Sequence, residues 1–277
     1  VLYDAELKPG FYFRNFIHRR DYETNLFEIR IPGFEDRCPD YICLPERLEI
    51  TEAGVELCYA SAAALLLRTS RPLTIQCRRL SGEQYVDDGA FTLYDAANHY
   101  GLRISIVSGN AVFEAGKDQM TVCLGAESEV RIDEGYEPVR VSEPVPPFEQ
   151  CVDARKQDYE AFLHKMPPAL KGDEELMRLA AYGLWSSVAF ARGNYKRDCM
   201  LVSKNYMCGM WSWDHCFAAM AMAFVSPERA WDQLMCMFDY QQPSGRIPDC
   251  VEVVKMEWRY VKPPIHGLTL NILRRHM

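Results

Sequence analysis

No run of about 18 consecutive apolar residues occurs in the 277-residue chain, so no membrane-spanning helix is expected. The N-terminal stretch "VLYDAELKPGFYF" carries charges where the apolar region of a signal peptide would lie, and a soluble, cytoplasmic protein is expected. Positive charge is short: Asp and Glu outnumber Lys and Arg 39 to 31, for a net charge of −8 and a pI near 5.4. That balance excludes a broad nucleic-acid or anionic-membrane footprint, which needs clustered Lys and Arg, and favours a neutral polar partner.

Several catalytic signatures are missing as well. The chain has no G-x-x-x-x-G-K phosphate loop, no G-x-G-x-x-G dinucleotide fingerprint and no G-x-S-x-G nucleophile elbow. Eleven cysteines are present, an odd number scattered through a long chain, and none forms a C-x-x-C pair. They are read as reduced, mostly buried thiols. The nearest approach to a metal set is Cys208 with His215 and Cys216. Adjacent helical residues point about 100° apart, so no metal site and no cofactor are expected.

What is present changes character along the chain. Up to about residue 145, segments such as "LFEIRI", "PLTIQCRRL" and "EVRIDEGY" mix β-branched and aromatic residues, with turn signals at Gly82, Gly101, Gly109, Gly116 and Gly125. Short strands at that spacing predict a β-sandwich over residues 1–148. The run "SAAALLL" reads either as a helical turn or as a buried strand. Residues 137–148, "EPVRVSEPVPPF", hold four prolines and no helical period, and read as a linker.

From 149 to 277 the period is helical. "GDEELMRLAAYGLWSSVAFARGNY" predicts a long helix with Leu176, Leu179, Ala180, Gly183, Leu184, Ser187 and Val188 on its packed face and Asp173, Glu174 and Glu175 at its positive end. "VSPERAWDQLMCMFDYQQP" predicts a helix with Ser226 as N-cap, Pro227 at the first position and Pro243 as stop. Its expected inner stripe is Ala230, Trp231, Leu234, Met235 and Phe238. Further helices are expected over "WDHCFAAMAMAF" and "HGLTLNILRRHM". The last has no cap or stop residue, and the chain reads as cut rather than finished.

Three stretches between these helices repeat one recipe, aromatic faces beside polar forks. "GMWSWDHCF" offers Trp211, Trp213 and Asp214, the carboxylate sitting in a first helical turn. "QQPSGRIPD" offers Gln242, Arg246 and Asp249 around a turn allowed by Gly245. "EWRYVKPPIHG" offers Trp258, Lys262 and His266. A pyranose has an apolar C–H face that an indole covers and a rim of hydroxyls that donate and accept, so these nine residues are the candidate sugar-binding set.

The order W-x-W-D-h-x-F, S-P-E-x-A, F-x-x-Q-x-x-x-G-x-I-P-D and W-x-x-x-K-P-P-x-H-G, spanning Trp211 to Gly267, resembles the front half of the helical catalytic domain of glycoside hydrolase family 63. That family includes processing α-glucosidases and mannosylglycerate hydrolase-like enzymes and is related to trehalases. The resemblance implies an (α/α)6 toroid after a β-sandwich, only its first helices lying in this chain. It also implies inverting hydrolysis of an α-linked oligosaccharide or small glycoside, by two carboxyl groups about 6.5–9.5 Å apart. Trp213 and Asp214 would then belong to the wall of the central subsite, with Asp214 holding hydroxyls. The family's acid and base follow the K-P-P-x-H-G segment, so both are expected beyond Met277, and the chain alone is expected to be inactive. Were it active, Asp214 and Asp249 would be the candidate acid and base.

Two departures from the pattern are visible. "YMCGM" replaces the trehalase-like P-G-G-R-F lead-in, and Leu268 stands where an aromatic is expected. Other readings are a non-catalytic carbohydrate-binding protein, a helical interaction domain whose tryptophans are core, and a lyase or epimerase on the same toroid. An open arc of toroid would expose apolar surface, so self-association, or docking to the missing remainder of the same protein, is expected.

Overall fold

The computed structural model describes residues 10–14, 25–78, 83–87, 89–96, 100–115, 119–135, 138–139, 144–203 and 207–276. The described residues up to Lys156 form one compact unit and those from Gln157 onward a second. Among them no helix is long and apolar enough to cross a membrane, and no two cysteines are joined by a disulfide.

The first unit is built from thirteen strands: β1 (Phe11–Arg14), β2 (Asn25–Arg30), β3 (Ile42–Cys43), β4 (Leu48–Ile50), β5 (Val55–Ser61), β6 (Ala64–Thr69), β7 (Leu73–Arg78), β8 (Glu83–Asp87), β9 (Ala90–Asp95), β10 (Tyr100–Ser108), β11 (Ala111–Ala115), β12 (Gln119–Leu124) and β13 (Ser128–Gly135). They form a five-stranded sheet, ordered β1-β2-β7-β12-β11, and an eight-stranded sheet, ordered β3-β4-β5-β6-β13-β10-β9-β8. The paired strands run antiparallel.

Alternation makes the core. Ile29, Ile75 and Val122 lie in register across three strands, as do Phe27, Cys77 and Met120, and all six are buried. The "SAAALLL" run resolves into a strand, β6, in which Leu65, Leu66 and Leu67 are all buried, so both faces of that strand are covered. The second face packs Leu66 and Cys58 against Phe148, Cys151 and Val152. These belong to the first turns of helix α1 (Phe148–Leu163), and the unit therefore runs past the proline-rich stretch into that helix. Gly109 makes a turn at φ +80°, where an added Cβ would lie 2.5 Å from Ser128 Oγ. Gly101, by contrast, lies inside β10, paired with Tyr94 and Gly135. Gly82 and Gly116 lie outside the described residues.

The second unit holds the end of α1, then α2 (Glu174–Ser186), β14 (Val188–Ala189), β15 (Cys199–Met200), β16 (Met210–Trp211), α3 (Asp214–Met222), α4 (Pro227–Met235), a 3-10 turn at Phe238–Tyr240, β17 (Cys250–Val251), β18 (Met256–Glu257) and α5 (His266–Leu273). Its core gathers Ala181, Met200, Cys216, Ala219, Met222, Ala230, Leu234 and Leu273. Ser226 caps α4 by accepting from Arg229 N at 3.4 Å, with Pro227 beside it, as the sequence predicts.

Two helical expectations are corrected. The long helix after Asp173 stops at Ser186, and Val188 and Ala189 pair instead with Met200 and Cys199. The hydroxyl of Ser187 donates back to the Gly183 carbonyl, a local bond that competes with helix continuation. Leu176 and Leu179, placed on the packed face by periodicity, are 63% and 66% exposed, and Ala181 is the buried residue of this helix. In α4 the inner stripe is Ala230, Gln233 and Leu234, while Trp231 is exposed. Gln233 is inside because its amide donates to the Asp198 carbonyl at 3.0 Å and accepts from Met200 N at 2.7 Å. The Arg197 guanidinium ties the same segment down, at 2.7 Å from Asp239 and 2.6 Å from Asp232.

Candidate functional site

The ends of the three stretches meet in one small sheet. Met210 and Trp211 pair antiparallel with Val251 and Cys250, which pair in turn with Met256 and Glu257. The ladder is extended where Ser212 N donates to Asp249 O and Asp249 N donates to Glu257 O, both at 2.8 Å. Gly209 is dictated by this approach: a Cβ there would sit 2.5 Å from the Cys250 sulfur. Backbone pairing thus brings residues about forty positions apart in sequence onto neighbouring strands.

At the edge of that sheet lie Trp211, Asp249 and Lys262. The Asp249 side chain is fully buried, and Lys262 Nζ stands 3.5 Å from its Oδ1. Neither Asp249 carboxylate oxygen has a hydrogen-bond partner. The same ammonium lies 5.1 Å from the centroid of the Trp211 ring, within cation–π range. A buried carboxylate with unfilled acceptor positions is costly, and its presence calls for a structural or functional reason.

The remaining candidates fall into separate groups. Gln242, exposed, opens the turn in which Gly245 N donates to Gln242 O at 2.8 Å, with Gly245 at φ +86°. Arg246 donates to the Trp258 carbonyl and lies 5.8 Å from the Trp258 ring centroid. Trp213, half-buried, stacks edge-on to Phe217 at 5.8 Å. Asp214, also half-buried, is the first residue of α3, where the helix dipole favours a carboxylate. His266 opens α5 and turns toward the core of the unit, 5.1 Å from the His215 ring and 5.5 Å from Phe238.

His215 and Cys216, expected to be poorly placed as joint ligands, bring their side chains close together in the structure. The imidazole is long enough to reach back, and His215 Nε2 lies 3.7 Å from the Cys216 sulfur. The ligand atoms of His215, Cys216 and His266 all lie within 4.8 Å of one another, and Cys208 is not among them. No signal in the sequence links position 266 to 215 and 216, because only the packing of α5 on α3 brings them together.

Burial holds the His215 imidazole neutral, pushing its pKa down to about 4, against the opposing effect of its hydrogen bond to the Trp211 carbonyl. The ordinary value is 6.5, so the unfolded chain takes up a proton between pH 6.5 and 4 that the folded chain refuses. Stability of the metal-free protein should therefore fall as pH drops through that window, by roughly 3 kcal/mol in all. Urea midpoints measured in chelator across that range check this. A slope that is unchanged in His215→Phe would assign the loss to other groups.

Comparison with known proteins places a family resemblance on the same stretch. Residues 207–273 match the mannosylglycerate hydrolase MGH1-like glycoside hydrolase domain. A mannosylglycerate hydrolase of Thermus thermophilus is 48% identical over 42 residues, which span 15% of this chain and 10% of that enzyme. A solved structure described as a putative kojibiose phosphorylase from the human microbiome aligns with a TM-score of 0.48 and 8% identity, covering 92% of this chain and 40% of that one. The two sequence matches support a glycosidase-like family at the coarse level, without singling out glycoside hydrolase family 63. The stretch that carries the clustered side chains, from Met207 to Leu273, is glycoside hydrolase-like in sequence.

Proposed function

We propose that the second unit provides the sugar-binding wall of an inverting α-glycoside hydrolase of the family 63 type, its helices forming the first arc of an (α/α)6 toroid behind an N-terminal β-sandwich. The observation that carries this reading is the buried Asp249 carboxylate, with both oxygens unfilled, beside Lys262 and the Trp211 ring. In this assignment Trp211 covers a pyranose C–H face, Asp249 accepts from two adjacent hydroxyls, and Lys262 donates to a third. Trp213 and Asp214, Gln242, Arg246 and Trp258 complete the wall, whereas His266 turns its ring toward His215 and Phe238. The general acid and base are not assigned to any of them. The similarity to a mannosylglycerate hydrolase adds small α-linked mannosides to the glucosides as candidate substrates.

Saturation-transfer NMR with a panel of α-linked glucosides and mannosides, mannosylglycerate included, tests the binding half of the proposal. At least one member should bind, and its β-linked counterpart should bind more weakly. A panel with no binder, or with no preference for the α linkage, would overturn it. Product analysis by NMR on the complete protein tests the reaction: inversion at the anomeric carbon supports hydrolysis of this type, and an unsaturated product assigns a lyase.

A further inference from the structure

We propose that His215, Cys216 and His266 bind a transition-metal ion of the Zn2+ class, seated between the first turns of α3 and α5. The proposal is independent of the sugar reading and rests on how the three side chains are held. The Cys216 sulfur is 3.7 Å from His215 Nε2, and all three ligand atoms lie within 4.8 Å of one another. Zn–S near 2.3 Å and Zn–N near 2.0–2.1 Å put tetrahedral ligand atoms roughly 3.3–3.6 Å apart, so closure needs side-chain shifts on the order of 1 Å.

Orientation is already set. His215 Nδ1 is 3.0 Å from the Trp211 carbonyl, which can only accept, and with the proton on Nδ1 the Nε2 lone pair faces Cys216; the Leu234 backbone is a second partner of the ring that a bound ion would displace. His266 Nε2 is buried and without a hydrogen-bond partner, and the ring's bond to the Ser212 backbone therefore falls to Nδ1. Each imidazole thus has a hydrogen bond to the backbone, as metal-ligating histidines do, and one ligand atom from each ring lies within 4.8 Å of the other and of the Cys216 sulfur. Two neutral nitrogens and one sulfur suit a borderline-soft ion rather than Mg2+ or Ca2+.

Binding releases the Cys216 thiol proton to solvent and forms one metal–sulfur and two metal–nitrogen bonds, with no change of oxidation state. The fourth tetrahedral position is left for water or a ligand oxygen. Because Trp211 supplies both the carbonyl that orients His215 and the ring beside Lys262, the ion would brace the strand that carries the proposed sugar face.

Titration of the metal-free protein with Co2+ is the test. One equivalent should produce a near-ultraviolet thiolate-to-cobalt charge-transfer band, displaced by Zn2+, and Zn2+ alone should raise the thermal midpoint. Cys216→Ser should abolish the band, and His266→Gln, at a half-buried position, should weaken uptake at least about tenfold. An undiminished band in Cys216→Ser would place the cobalt on another of the eleven cysteines and overturn the assignment. Uptake unaffected by His266→Gln, or no uptake by the parent protein, would do the same.

Discussion

An Asp249→Asn variant should be more stable than the parent protein, by about 1–3 kcal/mol, and should bind α-linked sugars about tenfold to a hundredfold more weakly. The two effects have opposite signs because one feature causes both. The Asp249 carboxylate is buried with Lys262 at 3.5 Å, and neither oxygen accepts a hydrogen bond. Removing the charge while keeping the shape relieves the desolvation cost of burying an ionised carboxylate. Lys262, whose side chain is 29% exposed, can turn to water when its partner is neutral. The same change removes a charged acceptor that sugar hydroxyls would fill, and a charge-assisted hydrogen bond contributes about 1.5–3 kcal/mol. Urea unfolding read beside calorimetric binding decides it. Lower stability with undiminished affinity would make Asp249 a structural anchor of the β16–β17–β18 sheet and take it out of the proposed sugar wall.

Gln233→Leu should cost about 2–4 kcal/mol without touching that wall. The substitution nearly conserves volume and looks favourable on the inner face of an amphipathic helix. It nevertheless strands two backbone groups at once, the Met200 N–H and the Asp198 carbonyl, which the Gln233 amide satisfies at 2.7 and 3.0 Å. Each buried group left without a partner costs about 1–3 kcal/mol, less what the apolar side chain gains by burial. A fall of under about 0.5 kcal/mol in the urea unfolding free energy would mean that water replaces the amide. Gln233→Glu separates the two bonds, since a carboxylate still accepts from Met200 N but no longer donates to Asp198.

Both residues show where sequence reasoning succeeds and where it stops. Asp249 is legible as a candidate because "QQPSGRIPD" places an acid after a turn that Gly245 can make, and Gly245 does adopt φ +86°. Its burial and its pairing with Lys262 are not legible, since both follow from strand pairing between β16, β17 and β18. Gln233 is missed because a hydrophobic period ranks side chains by polarity, and a glutamine that satisfies two backbone groups is energetically an inside residue. Leu176 and Leu179 fail the other way: apolar spacing is present, but the burying neighbours lie on the face marked by Ala181.

Local chemistry in the sequence was enough to set the order of β-rich and helical parts, the capped start of α4 at Ser226 and Pro227, and the three stretches of polar forks, two of them with indoles. These depend on contacts between near neighbours, which a chain carries wherever it folds. Tertiary structure alone decided that Lys262 sits against both Asp249 and Trp211, and that His266 joins His215 and Cys216. Those groups are brought together across tens of residues by strand pairing and helix packing, and the free energy of such long-range contacts belongs to the folded chain as a whole rather than to any stretch of its sequence.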